Sequence, residues 1–103
     1  MFGTIARMKL KPGSLEKLQR MGEDQQGRQA DGYLFTAIYQ SQSDPDEIWL
    51  TVGFRDEASY RANANNPETD KMAREMQQLL TQPPEWHDGE IVSMNQAEAK
   101  ASV

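Results

Sequence analysis

Eight residues constrain this chain more than any others: Glu47-Ile48-Trp49-Leu50-Thr51-Val52-Gly53-Phe54. Their alternation puts Ile48, Leu50, Val52 and Phe54 on one side of an extended segment and Glu47, Trp49, Thr51 and Gly53 on the other. A helix does not sort residues with a period of two. A strand with one fully apolar face needs a second layer to cover it. The polar run Gln42-Ser43-Asp44-Pro45-Asp46 precedes this strand, and before it Tyr33 to Ser41 is rich in aromatic and β-branched residues. The pair reads as a hairpin entered through the turn Asp31-Gly32.

The remaining segments supply the layer. Phe2 to Leu10 alternates as a strand, with Phe2, Thr4, Ala6, Met8 and Leu10 on one parity and Gly3, Ile5, Arg7 and Lys9 on the other. Lys11-Pro12-Gly13 breaks it. Ser14 to about Gln26 has Leu15, Leu18, Met21 and Gly22 at helical spacing, with Gly27 as its stop. Asp56 caps a short helix through Ser59, Tyr60 and Ala64. Asn65-Asn66-Pro67 ends that helix and starts another, which carries Met72, Met76, Leu79 and Leu80 as its stripe and runs to Leu80. Pro83-Pro84 bars continuation. Trp86 to Ser93 reads as a fourth strand. Residues 1–93 form one domain, and Met94 to Val103 is a small, polar tail expected to pack on a partner subunit.

The order β-α-β-β-α-β, wound with right-handed crossovers, gives an α+β, ferredoxin-like split sheet of order 4-1-3-2. The helices cover one face, against Ile48, Leu50, Val52 and Phe54. The other face carries Trp49, Thr51 and Ile5. An apolar patch of that kind is uncommon on a monomer. It predicts a homodimer packed sheet to sheet about a two-fold axis, against the alternative of a monomer with one wetted face.

Composition narrows the chemistry. Of 103 residues, 11 are Lys or Arg and 16 Asp or Glu, a net charge of -5. That balance argues against nucleic acid and against an anionic membrane surface as partners. The absence of cysteine removes disulfides, thiolate catalysis and Cys-ligated metals, and one histidine makes a multi-histidine metal site impossible within a chain. No stretch is apolar enough to span a bilayer, and the first residues do not read as a signal peptide, so the default location is the cytoplasm.

Arg7-Met8-Lys9-Leu10-Lys11-Pro12-Gly13 resembles the first strand and turn of the antibiotic biosynthesis monooxygenase domain. Ser43-Asp44-Pro45-Asp46-Glu47-Ile48-Trp49-Leu50, followed by Phe54-Arg55-Asp56-Glu57-Ala58, is similar to that family's hairpin and second helical region. The resemblance covers about Met1 to Ser93. It implies a dimeric α+β barrel and, from the best-known members, oxidation of phenolic or quinol-like aromatics by O2 with no metal or flavin cofactor. Other members degrade haem, isomerise small metabolites or have no known activity. The haem-degrading branch uses an axial histidine in the second helical region, and Asp56 to Leu80 contains none.

Oxygenation without a cofactor needs a base to make an electron-rich anion, donors to hold it, and a mostly dry apolar pocket. His87 is the only histidine, the residue type best suited to general-base work near neutral pH, and is a candidate base; flanked by Glu85 and Asp88, its simpler reading is a surface histidine with no catalytic role. Tyr60 and Asn63, three apart on the short helix, share a face and can donate to a substrate oxygen, or serve as core phenol and solvated amide. Trp49 is a candidate wall for a flat aromatic pocket and, alternatively, an anchor at a dimer interface. Met72 and Met76 belong with Met8 and Met21 in the core, where methionine also adapts to varied ligands, so the first two are candidate pocket lining for a small aromatic or apolar metabolite. Arg7 can face an anion, although a cross-strand pair between Lys9 and Glu47 is the simpler use of that basic edge. A dimeric module of the same fold that binds a small molecule without turning it over is the alternative to an oxygenase.

Overall fold

In the computed structural model, which describes residues 1–25 and 30–97, seven elements follow the expected order. They are β1 (Phe2–Lys9), α1 (Leu15–Gln25), β2 (Tyr33–Gln40), β3 (Glu47–Phe54), α2 (Glu57–Ala64), α3 (Pro67–Gln77) and β4 (Glu85–Glu90). All strand pairs are antiparallel and the sheet order is β2-β3-β1-β4. This is the ferredoxin-like order expected from the sequence. The stop expected at Gly27 lies outside the described residues, as does the end of the tail from 98 onward.

The covered face is built by the even-numbered residues of the two central strands. Phe2, Thr4, Ala6 and Met8 of β1 are buried, as are Ile48 and Phe54 of β3. The core cluster joins Ala6, Met8 and Ile48 to Leu10, Leu18 and Leu80, with Leu15, Leu50, Met76 and Leu79 packed against it. Met8 and Ile48 are the largest fully buried side chains. Truncating either to Ala would destabilise the domain by about 2–5 kcal/mol. Leu34, Ile38 and Trp86 stay more than a third exposed, because the helices lie over β1 and β3 and leave both edge strands uncovered.

The helix ends follow local chemistry. Asp56 accepts a hydrogen bond from the Ser59 amide at 2.8 Å and caps α2. Asn66 does the same for the Glu68 amide at 2.9 Å, with Pro67 opening α3, as the sequence predicts. The structure corrects the far end of α3. The helix stops at Gln77 rather than Leu80, because the backbone there is drawn into pairing with the end of β1. Leu10 and Leu80 form an isolated bridge, Lys11 N–H donates to the Leu79 carbonyl, and Thr81 N–H donates to the Lys9 carbonyl. β4 is shorter than expected and starts one residue earlier. After Ile91 N–H donates to the Met1 carbonyl, residues 91–97 take no regular structure, and Val92 is 94% exposed.

Candidate functional site

Strand register decides which candidates can meet. β1 pairs with β4 so that Thr4 faces Asp88 and Ile5 faces His87. Neighbouring residues of a strand point to opposite sides. Asp88 therefore shares the helix-covered face with Thr4, whereas His87 shares the open face with Ile5. Tyr60, on α2, donates from its hydroxyl to Asp88 Oδ1 at 3.0 Å. The sheet thus separates the two sequence candidates, with His87 on one face and Tyr60 on the other.

Around Tyr60 the covered face is aromatic. Its ring centroid lies 5.2 Å from that of Phe2 and 5.8 Å from that of Phe54, and Phe54 in turn meets Tyr33 edge-on. The Arg61 guanidinium stacks over both Phe2 and Tyr60, and donates to Asp88 Oδ2 at 3.2 Å and to Glu57. Trp86, two residues before Asp88 on the same face of β4, is 47% exposed. Thr4 is 5% exposed, and its Oγ1 is buried with no hydrogen-bond partner. It stands next to the Tyr60 and Asp88 oxygens without bonding geometry to either. Buried hydroxyls are rarely left in that condition.

Electrostatics sort the two ionisable groups. Burial, and after it the hydrogen bond to Asp88, raises the Tyr60 phenol above its ordinary value, so it keeps its proton at neutral pH. Partial desolvation works to raise the Asp88 carboxyl, but the adjacent Thr4 and Tyr60 hydroxyls and the charge of Arg61 outweigh it and hold the group below the usual carboxylate value. The result is a protonated phenol and an ionised carboxylate, side by side, over an aromatic floor.

The other sequence candidates lie apart. Asn63 is half-buried and its side-chain carbonyl accepts from the Thr69 hydroxyl at 3.2 Å, tying α2 to α3. Met72 and Met76 are half-buried on the sheet-facing side of α3, and Met76 packs against the main core. Trp49 pairs with Arg7 and Tyr39 on the open face, where it is 37% exposed, on the opposite side of the sheet from the two methionines. His87 Nε2 lies 2.9 Å from Glu85 Oε1. Arg7 is tied to Glu47 at 2.9 Å and approaches Glu85, and Lys9 binds Asp44 at 2.6 Å and Glu47 at 3.5 Å. The Lys9–Glu47 pair expected from the sequence is thus one link of a longer chain of charges. Hydrogen bonding within it raises Arg7 and Lys9 and lowers Glu47 and Asp44 from their ordinary values. Among the described residues no group of three His, Cys, Asp or Glu side chains could hold a metal ion. A surface depression of about 250 Å³, lined by Gln77, Leu80, Thr81, Gln82 and Pro83, lies at the Leu10 end of β1, and none of its lining side chains ionises.

Of the residues gathered here, only Tyr60 stands out in the sequence; Thr4, Arg61, Trp86 and Asp88 do not. Thr4 reads as one more strand residue, and Asp88 as a neighbour of His87. Only the β1–β4 register joins them.

The fold is a ferredoxin-like α+β domain, with a phenol hydrogen-bonded to a carboxylate and an unpaired hydroxyl on its covered face. The sequence profile of the antibiotic biosynthesis monooxygenase family matches residues 1–75, and the chain belongs to that family. No curated protein matches it at the level of sequence. Solved structures share its fold at low identity. A crystal structure of an antibiotic biosynthesis monooxygenase superimposes with a TM-score of 0.73 at 16% identity, covering 90% of this chain and 100% of the other. SnoaB, a cofactor-independent oxygenase from Streptomyces nogalater, gives 0.77 at 9% identity, covering 90% and 94%. A protein of unknown function from Nitrosomonas europaea gives 0.73 at 18% identity, covering 95% of each. No described helix is long and apolar enough to cross a membrane.

Proposed function

We propose that the protein oxidises a small phenolic or quinol-like aromatic with O2, without a cofactor, on the helix-covered face of its sheet. The observation that carries this reading is the Tyr60–Asp88 hydrogen bond beside the rings of Phe2 and Phe54. An ionised carboxylate can accept a proton from an acidic CH or OH of the substrate. Tyr60 and Arg61 can then hold the oxyanion, whose charge is best stabilised by donors already in place. In such a reaction the substrate carbanion adds O2, the peroxide takes up a proton, and loss of water leaves a carbonyl, so one oxygen atom enters product and one leaves as water. Tyr60 keeps the donor role suggested by the sequence, and a ligand that extends from it toward α3 would meet Asn63 as a second donor and Met72 and Met76 as apolar lining. His87 is the alternative base, and Trp49 the alternative wall, on the open face. Membership of the family and the shared fold with SnoaB support this reading.

A second reading is favoured by Asp88 itself. A carboxylate held below its ordinary value is a weak base, which suits a dimeric module that binds a small aromatic without converting it. In either reading the unit is a homodimer joined through the open face, which exposes Ile5, Tyr39 and Trp49. Oxygen uptake with a panel of anthrones and hydroquinones in metal-free buffer separates the two. An oxygenase using this site consumes O2, loses most of the rate in Tyr60→Phe and Asp88→Asn, and keeps it in His87→Ala. Loss confined to His87→Ala moves the chemistry to the open face, and no uptake by the unaltered protein leaves the binding reading.

A further inference from the structure

We propose that Thr4 is a positioning residue for this site: its hydroxyl takes over as donor to Asp88 when the Tyr60 hydroxyl turns to an oxygen of the ligand. The inference rests on the reading of Tyr60 and Asp88 as the place where ligand binds.

Protons for donation are scarce here. A phenol has one O–H to donate. In the free protein Tyr60 spends it on Asp88 Oδ1, at 3.0 Å. A ligand oxygen that recruits Tyr60 therefore strips Asp88 of a donor. Arg61 is committed elsewhere, with Nη1 on Asp88 Oδ2 at 3.2 Å and both Nε and Nη2 on Glu57. Thr4 can cover the loss. It lies directly opposite Asp88 in the β1–β4 pairing, and its Oγ1 is buried and without a partner. A small turn of the Thr4 or Asp88 side chain would bring the pair into bonding geometry with no movement of the strand. The adjacent Thr4 hydroxyl favours the ionised form of Asp88, which agrees with a dipole available to that carboxylate. A side chain kept unsatisfied in the free state and satisfied in the bound state makes ligand binding easier by the donor it restores.

The test uses the full chain and para-nitrophenol, whose absorbance reports both binding and ionisation. Thr4→Val should weaken its binding roughly three- to ten-fold, the worth of one hydrogen bond to a partly exposed charge. Thr4→Ser should bind within about two-fold of the unaltered protein, because it keeps the hydroxyl. In a Tyr60→Phe background Thr4→Val should have no further effect, since Asp88 then has no Tyr60 donor to lose. Unchanged affinity in Thr4→Val, or an equal loss in both backgrounds, overturns the proposal. A ligand-free measurement decides the case in which para-nitrophenol does not bind at all, an outcome that counts against the site rather than against Thr4. Carbon NMR of the Asp88 carboxyl should show its titration midpoint rising when Thr4→Val is added to Tyr60→Phe, and rising less when Thr4→Val is made alone. A midpoint that ignores Thr4 in the Tyr60→Phe background overturns the proposal whatever the ligand does.

Discussion

Replacing Thr4 by Val should make the free protein more stable. The side chain is 5% exposed, on a central strand, and its hydroxyl has no partner. A buried donor left unmade costs about 1–3 kcal/mol. Val has the same branched shape and the same preference for strands, so removing the hydroxyl returns most of that penalty. Part is given back, because Asp88 loses a favourable dipole. The net gain should be about 1 kcal/mol, which for a domain of this size raises the melting temperature by about 4–8 °C. Thermal unfolding followed by circular dichroism at one fixed protein concentration measures it, since a dimer would make the midpoint depend on concentration. Thr4→Ser is the control. It keeps the hydroxyl and loses a buried methyl, so it should melt below the unaltered protein, giving the order Val, Thr, Ser. A melting temperature in Thr4→Val several degrees below that of the unaltered protein would refute the reasoning, because the hydroxyl would then already be bonded in the free state.

Gly3→Ala should destabilise the domain by about 1–3 kcal/mol in urea titration, because its Cβ would fall 2.0 Å from the Val52 carbonyl oxygen of the neighbouring strand, an atom that cannot swing away; a midpoint within error of the unaltered protein counts against that contact. Trp49→Lys should shift light scattering at micromolar concentration toward the monomer mass, because a buried interface would then hold an unpaired charge, and a dimer indifferent to the change would place the interface elsewhere. Glu47 and Asp44 sit below their ordinary values, so their contribution is present above those values and is lost as the pH falls through the lower, folded ones. Melting temperature should therefore decline as acid protonates them, and Glu47→Gln should flatten that decline; parallel curves for the two proteins would mean the charge chain adds nothing.

The fold is legible in the sequence because β3 alternates cleanly and the two helical stripes match it. Parity alone assigns Ile48 and Phe54 to the covered face, and the polar loop before Glu47 makes β2 its hairpin partner. The site is much less legible, for a physical reason. β4 runs Glu85-Trp86-His87-Asp88-Gly89-Glu90, all six exposed, with no apolar period to say which parity faces the helices. Without that parity His87 and Tyr60 can be grouped together, although the pairing of Ile5 with His87 and of Thr4 with Asp88 puts them on opposite faces. The end of α3 is hidden for a different reason. Leu79 and Leu80 fit the helical stripe, and only the hydrogen bonds to Lys9 and Lys11, about 70 residues away in sequence, draw them out of it.

The same facts show what holds the site together. A strand without an apolar face has weakly specified register, and a slip of one residue would exchange its two faces, sending His87 to the helix side and Asp88 to the open side. Apolar burial gives β4 little protection against that slip. Specific polar ties hold it instead: Tyr60 and Arg61 grip Asp88 from the covered side, Arg7 reaches Glu85 from the open side, and the Ile91 amide is anchored on the Met1 carbonyl. Two of these ties belong to the proposed binding site and one to the face proposed for dimerisation. The residues that would handle the ligand are thus also residues that set which face of β4 the ligand meets. A ligand that draws Tyr60 away from Asp88 loosens one of those ties. A replacement donor on β1, directly across the register from Asp88, is the position from which the strand pairing itself can make up the loss.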